Sequence, residues 1–342
     1  MFARVIYIIS SIPLSVLAIS ATCKASSWQP QHPVCTGPPE VYEVRPSNGK
    51  GLGVFAAYDL EIGDIVMRET PVIKIPRPTV VKKDPYPMSE VYRLVLKEFE
   101  ALSPDAQEAV LSLTYHTSAT ESETINELGV IFRTNAYNTG NNISLLPKMA
   151  RINHSCRPNS DYYWNEKLNT QVVYASRKIK KGEELSVSYI SLLLTHQERQ
   201  KDLDRYGFTC SCEACNQERE VSDDRRITIR KAFTDFESQL SLEPLTSETA
   251  KRQARNNAKA SLQLAELVQE EGLAIYYARA FRITAISHAR VEDWEPAAIW
   301  ASRGYELRYM EDPESTNAQE MHHLTSFFIA SWENTLRNRS ST

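Results

Sequence analysis

RINHSC, residues 151–156, sets an amide, an imidazole, a hydroxyl and a thiol side by side just after an apolar stretch. Such a run suits a polar turn, a catalytic cluster or one part of a metal site. The cysteines elsewhere in the chain narrow the choice. Six occur, at positions 23, 35, 156, 210, 212 and 215, too few for a disulfide scaffold. Cys210, Cys212 and Cys215 form C-x-C-x-x-C within FTCSCEAC (208–215), so three thiols sit on one tight knuckle.

Zinc takes four ligands in a tetrahedron, and structural sites favour thiolates. The knuckle supplies three of them. Cys23 lies at a presumed cleavage site and Cys35 in a proline-rich segment, which leaves Cys156 as the natural fourth. A site closed by four protein ligands holds structure together, because no position stays open for substrate. Disulfide bonding is the other reading and stays open if the chain matures in an oxidising compartment. Against it, Cys210 and Cys212 are too close to bridge easily, and one linked pair would leave odd thiols.

The 342 residues are 42% hydrophobic and 24% charged, the balance of a chain that buries a real core. A net charge of −4 gives no sign of a nucleic-acid-binding surface, so no direct nucleic-acid partner is expected. The first 25 residues, MFARVIYIISSIPLSVLAISATCKA, carry one arginine, an apolar run and then small residues. That is the layout of a secretory signal peptide, with cleavage between Ser20 and Ala25. A membrane anchor, for which the run is short, and an upstream start assigned in error are the alternatives. The segment points to no firm membrane partner.

Residues 26–40 read as a proline-rich linker. From 41 the pattern is β-like: VYEVRPS and LGVFAAYD flank the turn NGKG, and IVMRETPVI (65–73) reads as a third strand. An insert at about 75–132 has helical spacing, with Ser103-Pro104 opening a second helix. A loop rich in asparagine comes next (Asn135, Asn138, Asn141, Asn142). Strands return in TQVVYASRKI and LSVSYI around the turn KKGEE. Thr195 and Glu198 form a capping-box pattern that starts a helix over 195–206, with Gly207 to end it. From 217 to 342 only helix-length amphipathic stretches remain. Helix pairs are the plain reading; Ala301, Tyr305 and Pro313 also fit half of a tetratricopeptide-type repeat. The fold class is therefore α+β with an all-α C-terminal region.

In this order the motifs GKGLGVFA (49–56), NHSC (153–156), GEELSVSY (182–189) and CSCEAC (210–215) resemble the SET-domain protein lysine methyltransferases. The likeness covers about residues 41–216, as a SET domain over 41–190 and a post-SET zinc segment over 191–216. It is nearest to the subfamily whose SET domain is split by a MYND zinc finger and followed by a helical domain. Here too few cysteines remain for a MYND finger, and Arg151 stands where that subfamily is apolar.

The resemblance implies methyl transfer from S-adenosylmethionine to a lysine of a protein substrate, histone or otherwise, by a monomer that carries structural zinc. Lys50, Gly51, Leu52 and Gly53 would lie against the cofactor, where missing Cβ atoms permit close approach. Asn135, Asn153 and His154 would contact it as well, and Phe208 would stack on its adenine. Tyr189 is similar to the family's active-site tyrosine and Tyr206 to the second tyrosine of the lysine channel. A non-catalytic SET scaffold, or a secreted interaction protein, is the rival reading. Location bears on this conflict, since the family's chemistry points to nucleus or cytoplasm and the N-terminus to the secretory pathway. Asn153-His154-Ser155 is itself a glycosylation sequon, and a glycan there would obstruct the cofactor pocket.

Overall fold

The computed structural model describes residues 40–77, 88–117 and 126–340, together with two paired two-residue strands, Cys23–Lys24 and Val34–Cys35. Residues 1–40 and 41–342 form separate units, and the second contains the β-rich domain and every helix among the described residues. Nearly all of the segment read as a signal peptide, most of the 26–40 linker, and residues 78–87 and 118–125 lie outside the described residues. No helix among the described residues is long and apolar enough to cross a membrane.

The domain opens with an antiparallel hairpin of β1 (Tyr42–Ser47) and β2 (Gly51–Ala56), in register from Tyr42↔Ala56 to Ser47↔Gly51. Gly49 and Gly51 both take positive φ, at 72° and 74°, which is why the turn NGKG needs its glycines. The stretch 65–73 is two strands, not one: β3 (Ile65–Glu69) and β4 (Ile73–Pro76). Pro71 between them has no N–H to give a ladder, and at that point the chain changes sheets. A second correction concerns the asparagine-rich loop. It is a hairpin of β5 (Ala136–Thr139) and β6 (Asn142–Leu145), which turns at Gly140 with φ 63° and pairs β4 through β6. The buried hydroxyls of Thr139 and Ser144 meet at 2.6 Å inside it.

Asn153–His154 forms β7, and Ser160–Asn165, a strand the sequence pattern did not reveal, forms β8. Between β3 and β8 lies β9 (Thr170–Ala175), antiparallel to both. The expected strand LSVSYI is shortened to β10 (Ser186–Val187), which runs parallel to β7 in the register Ser186↔Asn153 and Val187↔His154. The small sheets enclose Val54, Val66, Met149, Ile152, Val173 and Val187, all buried.

The insert is helical where described. Helices α1 (Met88–Glu100), α2 (Pro104–Leu111) and α3 (Glu127–Asn135) place Val91, Val95, Val110, Ile131 and Phe132 on Ile73, Ile75 and Leu145 of the sheet. Ser103 caps α2 through its side chain, as its sequence predicts. Thr195 and Glu198 complete both halves of the capping box that opens α4 (His196–Leu203). A 3-10 turn, Asp204–Tyr206, then ends at Gly207 with φ 76°.

After a single helical turn at Glu213–Asn216, five longer helices complete the described residues: α5 (Arg219–Glu237), α6 (Glu248–Glu270), α7 (Tyr277–Ala289), α8 (Trp294–Glu311) and α9 (Thr316–Ser340). Helix α7 is buried almost all round, and alanines at 285, 289, 297, 298 and 301 let it approach α8 closely. The helical region shares a core with the cysteine knuckle: Phe233, Leu264, Val268 and Phe281 pack in one cluster with Cys156, Leu203, Cys210 and Cys215. At roughly 1.5–3 kcal/mol for each large apolar side chain buried, this cluster welds helices to knuckle.

Candidate active site and metal centre

Pairing of β7 with β10 brings the two halves of the site together. It sets Asn153 and His154 beside Ser186 and Val187, and because the strands are parallel both chains then run on in the same direction, one to Cys156 and the other to Tyr189. A cavity of about 940 Å³ opens there. Lys50, Gly51, Leu52, Asn135, Asn153 and His154 line it, and so do Tyr189, Tyr206 and Phe208. Gly53 sits behind that lining, where an added Cβ would come within 3.1 Å of Asn153, Glu184 and Ser47.

Each residue has distinct work available to it. Asn153 Nδ2 donates to the Leu52 carbonyl at 3.1 Å and to Glu184 Oε1 at 2.7 Å, tying the glycine hairpin to the core. Lys50 Nζ pairs with Glu184 Oε2 at 3.2 Å. Asn135 spends its amide nitrogen on the carbonyls of Thr114 and Ile131, both at 2.9 Å, and so anchors the end of α3 at the cavity wall.

His154 is buried, with both ring nitrogens engaged. Its Nδ1 accepts from the Tyr189 backbone N–H at 3.1 Å, so the proton belongs on Nε2, which faces Cys156 Sγ at 3.4 Å. Burial, reinforced by Arg199, pushes this imidazole down to about 4. His154 therefore links cavity to cysteines, and what it offers the cavity is ring surface and backbone.

The aromatic groups converge. The Tyr189 and Tyr206 ring centroids lie 5.0 Å apart, and Phe208 stands 6.4 Å from Tyr189, edge-on. Tyr189 donates its hydroxyl hydrogen to the Ile152 carbonyl at 2.7 Å, so toward the cavity its oxygen can only accept. Burial raises this phenol's pKa further above its ordinary range, and raises Tyr162 to about 12. Tyr137 and Tyr162 were not singled out from the sequence, yet they complete the lining with rings 5.5 Å apart and perpendicular. Neither β5 nor β8 was read as a strand, and neither carries an alternating pattern that would mark these tyrosines.

Cys156, Cys210, Cys212 and Cys215 bring their sulfurs within 4.8 Å of one another. None is in a disulfide, and the convergence of all four sulfurs is what a metal site requires. Cys156 Sγ lies 3.6 Å from Cys215 and 3.9 Å from Cys210. A tetrahedron with zinc–sulfur bonds of about 2.3 Å has edges of about 3.8 Å, so the donor set fits that ion. Crowding pushes the Cys212 thiol down and that of Cys156 up, because the four sulfurs share protons through hydrogen bonds with one another. This is the one cluster of metal-binding side chains among the described residues, and a second, MYND-type centre is not seen there.

Two buried arginines brace the cluster. Arg199 Nη1 donates to the Leu194 carbonyl at 2.6 Å, with Nη2 3.9 Å from Cys215 Sγ. Arg226 donates to the carbonyls of Leu192 and Cys156 and to the buried carboxylate of Glu271.

Comparison with known proteins agrees with this geometry. A family model described as SET domain matches residues 51–190. Histone-lysine N-methyltransferase set5 of Schizosaccharomyces pombe is 30% identical over 277 residues, which span 78% of this chain and 77% of that protein. Histone-lysine N-methyltransferase SMYD3 of Mus musculus is 38% identical over 82 residues, 24% of this chain and 19% of the relative. Histone-lysine N-methyltransferase ATXR2 of Arabidopsis thaliana is 39% identical over 74 residues, 21% of this chain and 16% of that protein.

Proposed function

The chain belongs to the SET-domain protein lysine methyltransferases, and from that premise we propose which of its residues carry methyl transfer from S-adenosylmethionine to a protein lysine. The observation that supports the assignment best is the meeting of Tyr189, Tyr206, Tyr137 and Tyr162 in the cavity that Asn153 and the glycine hairpin border. When bound, the cofactor supplies a methyl group on a sulfonium, open to in-line attack by an amine.

Lys50, Gly51, Leu52 and Gly53 form the backbone wall on the cofactor side, with Asn135, Asn153 and His154 beside them and Phe208 as the stacking ring. The tyrosines hold the target lysine in a narrow aromatic channel. Catalysis here is mostly positioning, which is worth several orders of magnitude when donor and acceptor are held collinear. Tyr189 orients the amine: its oxygen, with its hydrogen spent on Ile152, accepts from the lysine N–H. Raised phenol pKa values keep Tyr189 and Tyr162 protonated at neutral pH, so neither acts as base. The lysine loses its proton to water, aided by desolvation, which lowers a lysine's pKa.

The four cysteines hold a structural zinc ion that fixes the segment carrying Tyr206 and Phe208 against β7. The helical region 217–342 forms one wall of the substrate cleft. The names of the relatives make a histone lysine the first substrate to try.

The test uses the full chain, methyl-labelled S-adenosylmethionine and a histone mixture. Transfer of label to protein, reduced roughly 10²-fold in Tyr189→Phe, is the expected result. A folded, zinc-loaded chain that binds no cofactor would overturn the reading.

A further inference from the structure

Asn153 has two amide hydrogens, and both are committed. The groups that take them are the Leu52 carbonyl at 3.1 Å and the Glu184 carboxylate at 2.7 Å. Both are pure acceptors, so the amide nitrogen has to face them and the amide oxygen is what remains for the cavity. Glu184 is itself held firmly. Lys50 Nζ takes its other oxygen at 3.2 Å, Asn159 Nδ2 donates to its carbonyl at 2.9 Å, and it bridges Phe55 across the sheet. Gly53 leaves the room this requires, since a Cβ there would lie 2.5 Å from Glu184 Oε1.

We propose that Glu184 is a positioning residue of the cofactor site. It locks the Asn153 amide so that Oδ1 is presented to the ammonium group at the amino-acid end of S-adenosylmethionine. The inference rests on the cofactor reading above and gives a role to a residue of GEELSVSY that has none there. An unlocked amide could turn its NH₂ toward the ammonium and repel it. The locked one offers a fixed acceptor, and the carboxylate behind it adds negative potential. Lys50 keeps Glu184 from closing over the ammonium itself by occupying Oε2.

The test compares two ligands by titration calorimetry. S-adenosylhomocysteine carries the amino-acid end, whereas 5′-methylthioadenosine lacks it. In Glu184→Gln, whose own amide can donate and so turn Asn153 over, the ratio of the two affinities should fall roughly tenfold, with methylthioadenosine affinity little changed. Glu184→Asp, which keeps the charge but no longer reaches the amide, should show the same fall and serves if the glutamine variant does not fold. An unchanged ratio, or equal loss for both ligands, would overturn the role of Glu184 while leaving the methyltransferase reading intact. Absence of binding by the wild type would instead strike that reading, and this proposal with it.

Discussion

The Arg226 guanidinium donates to the Cys156 carbonyl at 2.9 Å from a position 70 residues further along the chain. The same side chain reaches the Leu192 carbonyl at 2.6 Å, Ser222 Oγ at 3.0 Å and Glu271 at 2.8 Å, with arginine and glutamate both fully buried. One cation thus joins the turn after β7, the segment after Tyr189 and two helices of the C-terminal region. Arg157 reaches Glu271 from the other side, at 3.1 Å. The helical region is fastened to the cysteine cluster by charge as well as by packing.

Removing Arg226 should therefore cost more than its own contacts. In Arg226→Met the buried carboxylate loses its closest cation and keeps Arg157, so the destabilisation should come to about 3 kcal/mol, the lower end for a broken buried pair. Replacing Glu271 by methionine in the same chain should recover part of that, since apolar groups tolerate the site better than a buried charge that has lost its nearest cation. Urea unfolding of the two variants checks this. A double variant no more stable than the single one would show that the carboxylate was not the cause.

Metal removal should loosen the same joint. The wild type should bind one zinc ion per chain, and Cys156→Ser should lose most of it. Zinc sites of this kind carry roughly 10–16 kcal/mol of apparent binding energy in isolated peptides. Chelation should accordingly lower the melting temperature and expose the core shared with Phe233 and Phe281. Metal analysis and thermal melting provide the measurements, and full zinc content in Cys156→Ser would exclude Cys156 as a ligand.

Local signals in the sequence were legible because local physics decides them. Thr195 and Glu198 cap a helix within one turn, and the glycines of NGKG take backbone angles that other residues resist. The cysteine cluster was legible because thiols are few and chemically exacting. The hairpin at 136–145 was hidden: its asparagines read as loop, while its pairing with Ile73–Pro76 depends on a strand some 60 residues earlier. Tyr137 and Tyr162 went unmarked for the same reason, since a tyrosine on a strand has no local sign of which cavity it faces. Arg226 and Glu271 look like two more charges on amphipathic helices until tertiary packing brings them together.

Stability should also report on Asp161, beneath the aromatic lining. Burial, with the Glu311 charge nearby, raises its carboxyl from 3.8 to about 6, while the Tyr162 N–H, the Tyr174 hydroxyl and Arg308 oppose the shift. Between those two values the folded chain holds a proton that the unfolded chain has released. Stability contributed by the protonated form is therefore present in full below about pH 4 and is lost as pH rises through about 6. The loss amounts to about 3 kcal/mol. Asp161→Asn should be free of it, so the difference in unfolding free energy between the two chains should grow over that range. Parallel pH profiles would refute the assignment.

Gly53 offers a test of how closely the proposed cofactor wall is fitted. Its backbone does not require glycine, for it is not among the residues with positive φ. Its neighbours do: a Cβ would stand 2.5 Å from Glu184 Oε1, 3.0 Å from Asn153 Nδ2 and 3.1 Å from Ser47 Cβ. Side-chain ends can move aside at small cost, so Gly53→Ala should remain folded, with stability reduced by about 1–3 kcal/mol. Moving aside, however, means parting Glu184 from Asn153. The variant should bind S-adenosylhomocysteine at least about tenfold more weakly, a single charge-assisted hydrogen bond being worth that much. Calorimetric titration beside a melting curve separates the two effects. Unimpaired binding in Gly53→Ala would mean that the Glu184–Asn153 contact can open without cost to the site.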